Sequence, residues 1–353
     1  MIGIIVPTKN RSDFVIRLVN YYANINSPYT LYIGDSSDKD HSERILTVVK
    51  RLEDKIKIVY KYYPDTIFSP ECVKGPAVIK KLLGITTEKY AALCCDDDFL
   101  VPNSLGKCAL FLEANSDYST AQGKAVLFAL SCEGAYGQIE SLGPYEIKES
   151  RGQTPSDRLD YFLGDYWVPH FSVHRTKEFL EDHDNVEKLT EMGFCELLPN
   201  CRSIVRGKSK CLDCFYLVRQ VHSQRWSHPP TLLDVISQST WQPSFQIYSD
   251  TLAAALMAEE GFSQEIALDI VKQAFGKYLG RGFCRMFRTH KRFRLSYFKD
   301  IVKHNSMLKK IHYQILSSFP IFKKEINMPR LLNPSSKYHA DFIPIYKEIT
   351  RNS

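Results

Sequence analysis

The chain has 353 residues, 44% hydrophobic and 24% charged, which excludes a disordered or low-complexity protein and allows one sizeable core plus a smaller unit. Ten cysteines are scattered through apolar segments without framework spacing, so a disulfide-held secreted scaffold is not expected. The net charge of +6 is uneven: residues 272–330 hold 15 Lys and Arg against only Asp300 and Glu325, which puts the basic excess in the C-terminal part.

The start, MIGIIVPTKN, has a short apolar run without a basic flank or a cleavage site, and no stretch reaches membrane-spanning length. A cytoplasmic protein is expected, with peripheral contact at the inner face of a membrane as an option. IGIIV (2–6) reads as a buried strand, and the spacing of 13–25 predicts a helix with Ser12 as its N-cap. Further strands are expected at 30–34, 56–63 and 90–95, with helices at 40–54 and 70–84, the second starting at Pro70 and Glu71. Such alternation predicts an α/β fold, a mostly parallel, Rossmann-like, doubly wound sheet whose ligands lie at the carboxyl ends of the strands. Three polar clusters fall there: PTKNR (7–11), GDSSD (34–38) and DDD (96–98). Strands are also expected at 125–131 and 211–220, a boundary at QRWSHPPT (224–231), and a mainly helical region from 236 onward.

The acidic run poses the sharpest question. In AALCCDDDFLVP (91–102) an apolar strand runs into three aspartates whose mutual repulsion must be offset by a cation or by donors. Hard oxygen ligands at a strand end suit a divalent ion, Mn²⁺ or Mg²⁺.

Taken together and in order, IIVPTKNR, IGDSSD and DDDFLVP resemble the N-terminal half of family-2-type glycosyltransferases of the GT-A fold. The resemblance is close over 1–110 and looser to His222. It implies a GT-A domain over 1–228, with a nucleotide-binding half (1–110) and an acceptor half (111–228), followed by a basic helical region over 229–353. It further implies a nucleotide-sugar donor lined by Pro7, Thr8, Lys9 and Arg11, with Asp35 on the base or ribose. A turn-forming role is the plain alternative for Asp35. Lys74 and Gly75 match the position where a basic residue and close backbone approach accompany the donor. The family pattern is Asp-x-Asp-Asp with a proline four residues on; aligned on Pro102 its first position falls on Cys95. Asp97 is then expected on the metal with Asp98 supporting, and Asp96 toward the donor sugar or ribose. His222 stands where many relatives place a late metal-binding histidine.

For an inverting transfer the resemblance implies a carboxylate base about a hundred residues past the metal motif. Glu196 in LTEMGFCELLPNC fills that place, with Glu191 in reserve. Trp167 and His170, in DYWVPHFSVHR, are candidates for the acceptor sugar, as are Arg225 and Trp226 in HSQRW, although each tryptophan also suits plain packing. The expected acceptor is a glycan or lipid-linked saccharide in surface polysaccharide synthesis. Cys211 and Cys214 have Cys-x-x-Cys spacing, but no second pair completes a zinc site. Lys277, Arg281, Arg285, Arg288 and Arg292 recur at helical spacing, interrupted by glycines, and suggest an anionic membrane surface as partner rather than nucleic acid. A nucleotidyltransferase is the competing enzyme class, disfavoured by the missing Gly-rich loop after the first strand. A non-catalytic binder on the same fold is the third reading.

Overall fold

A run of apolar residues without alternation needs cover on both faces, and the first strand gets it. In the computed structural model of the chain, residues 2–67, 73–223, 235–303 and 326–351 are described, the side chains of 285–303 excepted. Strand β1 (Ile2–Thr8) lies between β2 (Thr30–Asp35) and β4 (Tyr90–Leu93), and β3 (Ile58–Tyr62) forms the edge; all four are parallel. Ile2, Ile4, Ile5 and Val6 are buried. Helix α1 (Ser12–Asn24) and α2 (Lys39–Leu52) connect the first three strands, and α3 (Lys74–Ile85) leads into β4. Ser12 opens α1 rather than capping it: the N-cap is Arg11, and the Ser12 hydroxyl sits 2.9 Å from His41 Nδ1. Helix α3 starts at Lys74, and the expected start at Pro70 and Glu71 lies outside the described residues. A side chain at Gly34 would run into Val78 of α3 at 2.5 Å, so this glycine lets the helix settle against β2.

Beyond β4 the sheet becomes mixed. After the two-residue β5 (Phe99–Leu100) and α4 (Pro102–Ala114) come β6 (Tyr118–Leu130) and β7 (Ile139–Tyr145). Next follow α5 (Pro155–Gly164), β8 (Val173–Arg175), α6 (Thr176–Asp182), α7 (Met192–Arg206) and β9 (Lys208–Gln220). The order is β3-β2-β1-β4-β8-β6-β9-β5, with β7 on β6. Strand β8 is antiparallel to both β4 and β6, while β9 is parallel to β6. Two reversals cancel, so β9 runs in the direction of β1 and β4. Its carboxyl end arrives at the same sheet edge as theirs, and that geometry builds the site.

The remaining helices are α8 (Trp241–Glu260), α9 (Gln264–Lys303), α10 (Met328–Leu332) and α11 (His339–Ile349). Gly276 and Gly280 do not interrupt α9; both face open space. Among the described residues there are two buried cores. The first surrounds the sheet and includes Leu331, Tyr338, Phe342, Ile345 and Ile349, so the last helices return to the N-terminal half. The second joins α5 and α7 to α8 and α9 through Leu159, Phe194, Leu198, Tyr248, Leu252 and Phe275. The expected boundary near 228 lies outside the described residues.

Phe342 is fully buried and meets the Phe215 ring edge-on at 6.0 Å. Phe342→Ala is expected to destabilise the protein by about 3–5 kcal/mol, the usual cost of emptying an aromatic core position. Chemical denaturation followed by tryptophan fluorescence measures it; a loss under about 1 kcal/mol would show that α11 is an appendage rather than part of the first core.

Candidate functional site

The site starts from the turn after β1. Asn10 takes a left-handed backbone conformation (φ 55°) that asparagine tolerates well. Its backbone N–H donates to Ser37 Oγ at 2.7 Å, and its side-chain oxygen accepts from the Asp38 N–H at 2.8 Å. The loops after β1 and β2 are thereby clipped together. The next residue, Arg11, reaches across to the loop after β4.

There the three aspartates are buried: Asp96 is 2% exposed, Asp97 6% and Asp98 1%. Each has its own partners. Asp96 Oδ2 accepts from Thr8 Oγ1 at 2.7 Å, and Arg11 Nη1 approaches Oδ1 at 3.1 Å. Asp97 Oδ2 accepts from Arg11 Nη2 at 2.7 Å and lies 2.8 Å from His222 Nε2. Asp98 accepts from Arg219 Nε at 2.8 Å and from the Gln220 N–H at 3.2 Å. Below them the fully buried Arg17 donates to the Asp97 carbonyl at 2.7 Å and to Gln220 Oε1 at 2.6 Å. Arginines thus supply the offset that the acidic run demands.

The charge is shared unevenly. Burial opposes ionisation of Asp97, but the His222 hydrogen bond and the Arg11 guanidinium prevail and hold it below the usual carboxylate range. Burial, reinforced by the ionised Asp97, pushes Asp96 up to about 7 and Asp98 up to about 6, against Arg11 and Arg219. Burial alone brings Arg17 down to about 10, so it stays charged near neutrality.

The donor set fits a divalent ion. Ligand atoms of Cys95, Asp97 and Asp98 lie within 4.8 Å of one another, the one such group among the described residues. Asp97 Oδ1 stays outside the hydrogen bonds just described. A cation here would take Asp97 and Asp98 as oxygen ligands, with the Cys95 thiol beside them.

The other sequence candidates divide. Pro7 lies in β1 opposite Gly34. Lys9 and Lys74 converge on one oxygen of Asp65, at 2.7 and 2.9 Å, with Gly75 next along the first turn of α3. Asp35 turns away from the cluster: it is fully buried, accepting from the Ser37 N–H at 2.8 Å and from Tyr60 Oη at 2.7 Å. This is the turn-forming geometry, with one donor on each carboxylate oxygen. Glu191 caps α7 by accepting from the Phe194 N–H at 3.1 Å, whereas Glu196 is exposed and accepts from Tyr166 Oη at 2.7 Å. Tyr145, whose hydroxyl accepts from Arg219 at 3.3 Å, feels the carboxylates of both Glu196 and Asp98. Trp167 is buried between Tyr161 and Phe162 as a packing residue. Arg225 and Trp226 lie outside the described residues. On α9, Lys277 pairs with Asp160 and Arg281 with Asp165, which removes both from a free basic stripe; Arg285, Arg288 and Arg292 are among the side chains not described.

Sequence reasoning missed Arg17, Asp65, Tyr166 and Arg219. Arg17 and Arg219 had a signal: each is a lone charge inside an apolar run, which a buried partner must explain.

No family model and no curated protein matches the sequence. Among solved structures, S. aureus TarS 1–349 in complex with UDP-GlcNAc has a TM-score of 0.51 at 13% identity, covering 80% of this chain and 72% of that one. TarS 1–349 in a further crystal structure gives a TM-score of 0.49 at 15% identity with the same coverage, and this chain spans 43% of a longer TarS chain. The mannosyltransferase PcManGT from Pyrobaculum calidifontis, in complex with GDP-Man and Mn²⁺, gives 0.39 at 10% identity, covering 83% of this chain and 80% of that one. The first likeness shows the fold, and the fold is of the GT-A type.

His170 belongs to a buried group with His174 and His183 around Phe179; His174 stacks on Phe179 at 3.9 Å. Burial first, then neighbouring His183, lowers His174 to about 3, and burial lowers His183 to about 4. Below the ordinary histidine value of 6.5 the unfolded chain binds protons that the folded one refuses, so stability falls as pH drops toward 4. Each such histidine contributes a slope of about 1.4 kcal/mol per pH unit. His174→Phe keeps the ring stack and should flatten the fall in Tm between pH 6.5 and 4; an unchanged slope would mean that His174 protonates freely in the fold. Asp182, pushed up to about 6 by burial, acts in the opposite sense in both proteins and cancels from the comparison.

Proposed function

We propose that the chain is a cation-assisted glycosyltransferase, moving a sugar from a nucleotide-sugar donor to a hydroxyl of a glycan or lipid-linked saccharide. The observation that carries the reading is the meeting of three chain segments at one sheet edge. The loop after β1, the acidic loop after β4 and the end of β9 interlock through Arg11, Asp97, Asp98, Arg219 and His222. The GT-A-type fold supports it.

Lys9 and Lys74 are assigned to the donor diphosphate. Each now holds an oxygen of Asp65, and ammonium groups that share one carboxylate oxygen can take a phosphate oxygen in the same way. Thr8 and Asp96 face the donor sugar from the strand end. When bound, the divalent cation neutralises the charge that grows on the departing diphosphate. Contacts to the base and ribose are assigned to the end of β2, to Asp35 and to the exposed Asp38 after it.

Glu196 is assigned as the general base. It takes the proton of the acceptor hydroxyl as the new oxygen–carbon bond forms and the sugar–phosphate bond breaks, with the nucleoside diphosphate leaving. One displacement of this kind inverts the anomeric centre. Glu196 suits the task because it is exposed and oriented by Tyr166, which itself accepts from Asn200 at 3.2 Å. Glu191 is spent on its helix cap.

A membrane-derived acceptor remains part of the proposal through the basic residues of 272–330, at the inner face of a membrane. Among the described residues no helix is long and apolar enough to cross a bilayer.

Glu196→Gln should lower kcat by roughly 10²–10⁴-fold while leaving KM for the nucleotide sugar nearly unchanged, because the residue acts on the acceptor proton. Release of nucleoside diphosphate from a panel of UDP- and GDP-sugars, with saccharide acceptors and Mn²⁺, measures this. Full activity in the variant would remove Glu196 from the chemistry, and no turnover of any nucleotide sugar by the unaltered protein would sink the proposal.

A further inference from the structure

Arg11 stands where a bridging cation would have to work. Its fork spans two acidic residues, Nη1 at 3.1 Å from Asp96 Oδ1 and Nη2 at 2.7 Å from Asp97 Oδ2. His222 Nε2 lies 3.1 Å from the same Nη2, and the guanidinium carbon sits 4.6 Å from the centre of the Phe14 ring. The residue is held from several sides, yet its Nε–H is buried and has no hydrogen-bond partner. A guanidinium leaving a buried donor unused is poised for another acceptor, since an unmade hydrogen bond in a buried place carries a cost.

We infer that Arg11 is a resident cation that competes with the divalent ion for Asp97 while its other arm rests on Asp96, and that the donor's diphosphate draws it away. The inference rests on the proposed donor and cation site and adds a coupling to it. Without nucleotide, Arg11 neutralises the two carboxylates and keeps Asp97 from acting fully as a metal ligand. A diphosphate offers the guanidinium a stronger, bidentate anionic partner and an acceptor for Nε. Asp97 is then free to ligate the ion. Nucleotide and ion therefore bind cooperatively, each raising the other's affinity by the same factor. Lys9 and Lys74 do not share this role, because both are held away from the aspartates by Asp65.

The test is Mn²⁺ binding to the full chain, followed by the electron paramagnetic resonance signal of free Mn²⁺, with and without UDP, and with GDP in parallel. In the unaltered protein a nucleoside diphosphate should tighten Mn²⁺ binding by about tenfold or more. In Arg11→Gln, Mn²⁺ alone should bind about tenfold more tightly than it does to the unaltered protein, and the nucleotide should add little. Because losing Arg11 leaves buried carboxylates uncompensated, the variant should melt lower and regain more Tm with Mn²⁺ than the unaltered protein does. Arg11→Lys, which keeps the charge but reaches only one carboxylate, should fall between the two and serves if the glutamine variant does not fold. Equal Mn²⁺ affinity and equal coupling in all three proteins would overturn the role of Arg11 while leaving the donor site standing. Absence of Mn²⁺ binding with either nucleotide in the unaltered protein would overturn both.

Discussion

Three neighbouring carboxylates enclosed at a strand end dictate much of this structure. Burying a charge without compensation costs several kcal/mol, so the fold must deliver cations to that point. It does so from two stretches remote in sequence from that loop: Arg11 and Arg17 from the start of α1, and Arg219 from β9. These arginines close both stretches of chain onto the loop after β4. The same ion pairs that allow the acidic loop to be buried also fix the geometry of the proposed donor site. Folding and function draw on one set of contacts here.

The two cores divide the work in the proposed reaction. The donor side is built on the parallel strands, whose loops are clipped by Asn10, Ser37 and Asp38. The acceptor side is built on the helical core, where Glu196 projects from α7 and Tyr166 is backed by Tyr278 of α9 at 5.4 Å. Tyr145 on β7 touches the donor side through Arg219, which pairs with Asp98. The long basic helix therefore contributes to orienting Glu196 through Tyr278, whatever surface its outer part meets.

Much of the parallel half was legible because its signals are local. Unbroken apolar runs, helical spacing and polar clusters at strand ends specify β1 to β4 and the edge where ligands gather. Side-chain direction was less legible. The polar stretch after β2 announced a site and a turn at Asp35, but nothing in its composition showed that Tyr60 would donate to the same carboxylate. The mixed half was harder still. The two-residue β5 and three-residue β8 carry too few residues for a period, and β8 owes its existence to pairing with β4 and β6. The stripe of cations on α9 was correct as a spacing, yet Asp160 and Asp165, more than a hundred residues earlier, claim its first two members. Such partners are set by tertiary packing and leave no local trace.

A divalent ion bound in company with a nucleoside diphosphate would sit against Asp97 and Asp98. Affinity cleavage tests it directly: Fe²⁺ replaces Mn²⁺ in the presence of UDP or GDP, and ascorbate with peroxide generates radicals that cut the backbone nearest the metal. Nucleotide-dependent cuts confined to the segments around 95–98 and 219–222, suppressed by excess Mg²⁺, are expected. Cuts elsewhere, or cuts at those segments that are indifferent to nucleotide, would contradict that placement of the ion.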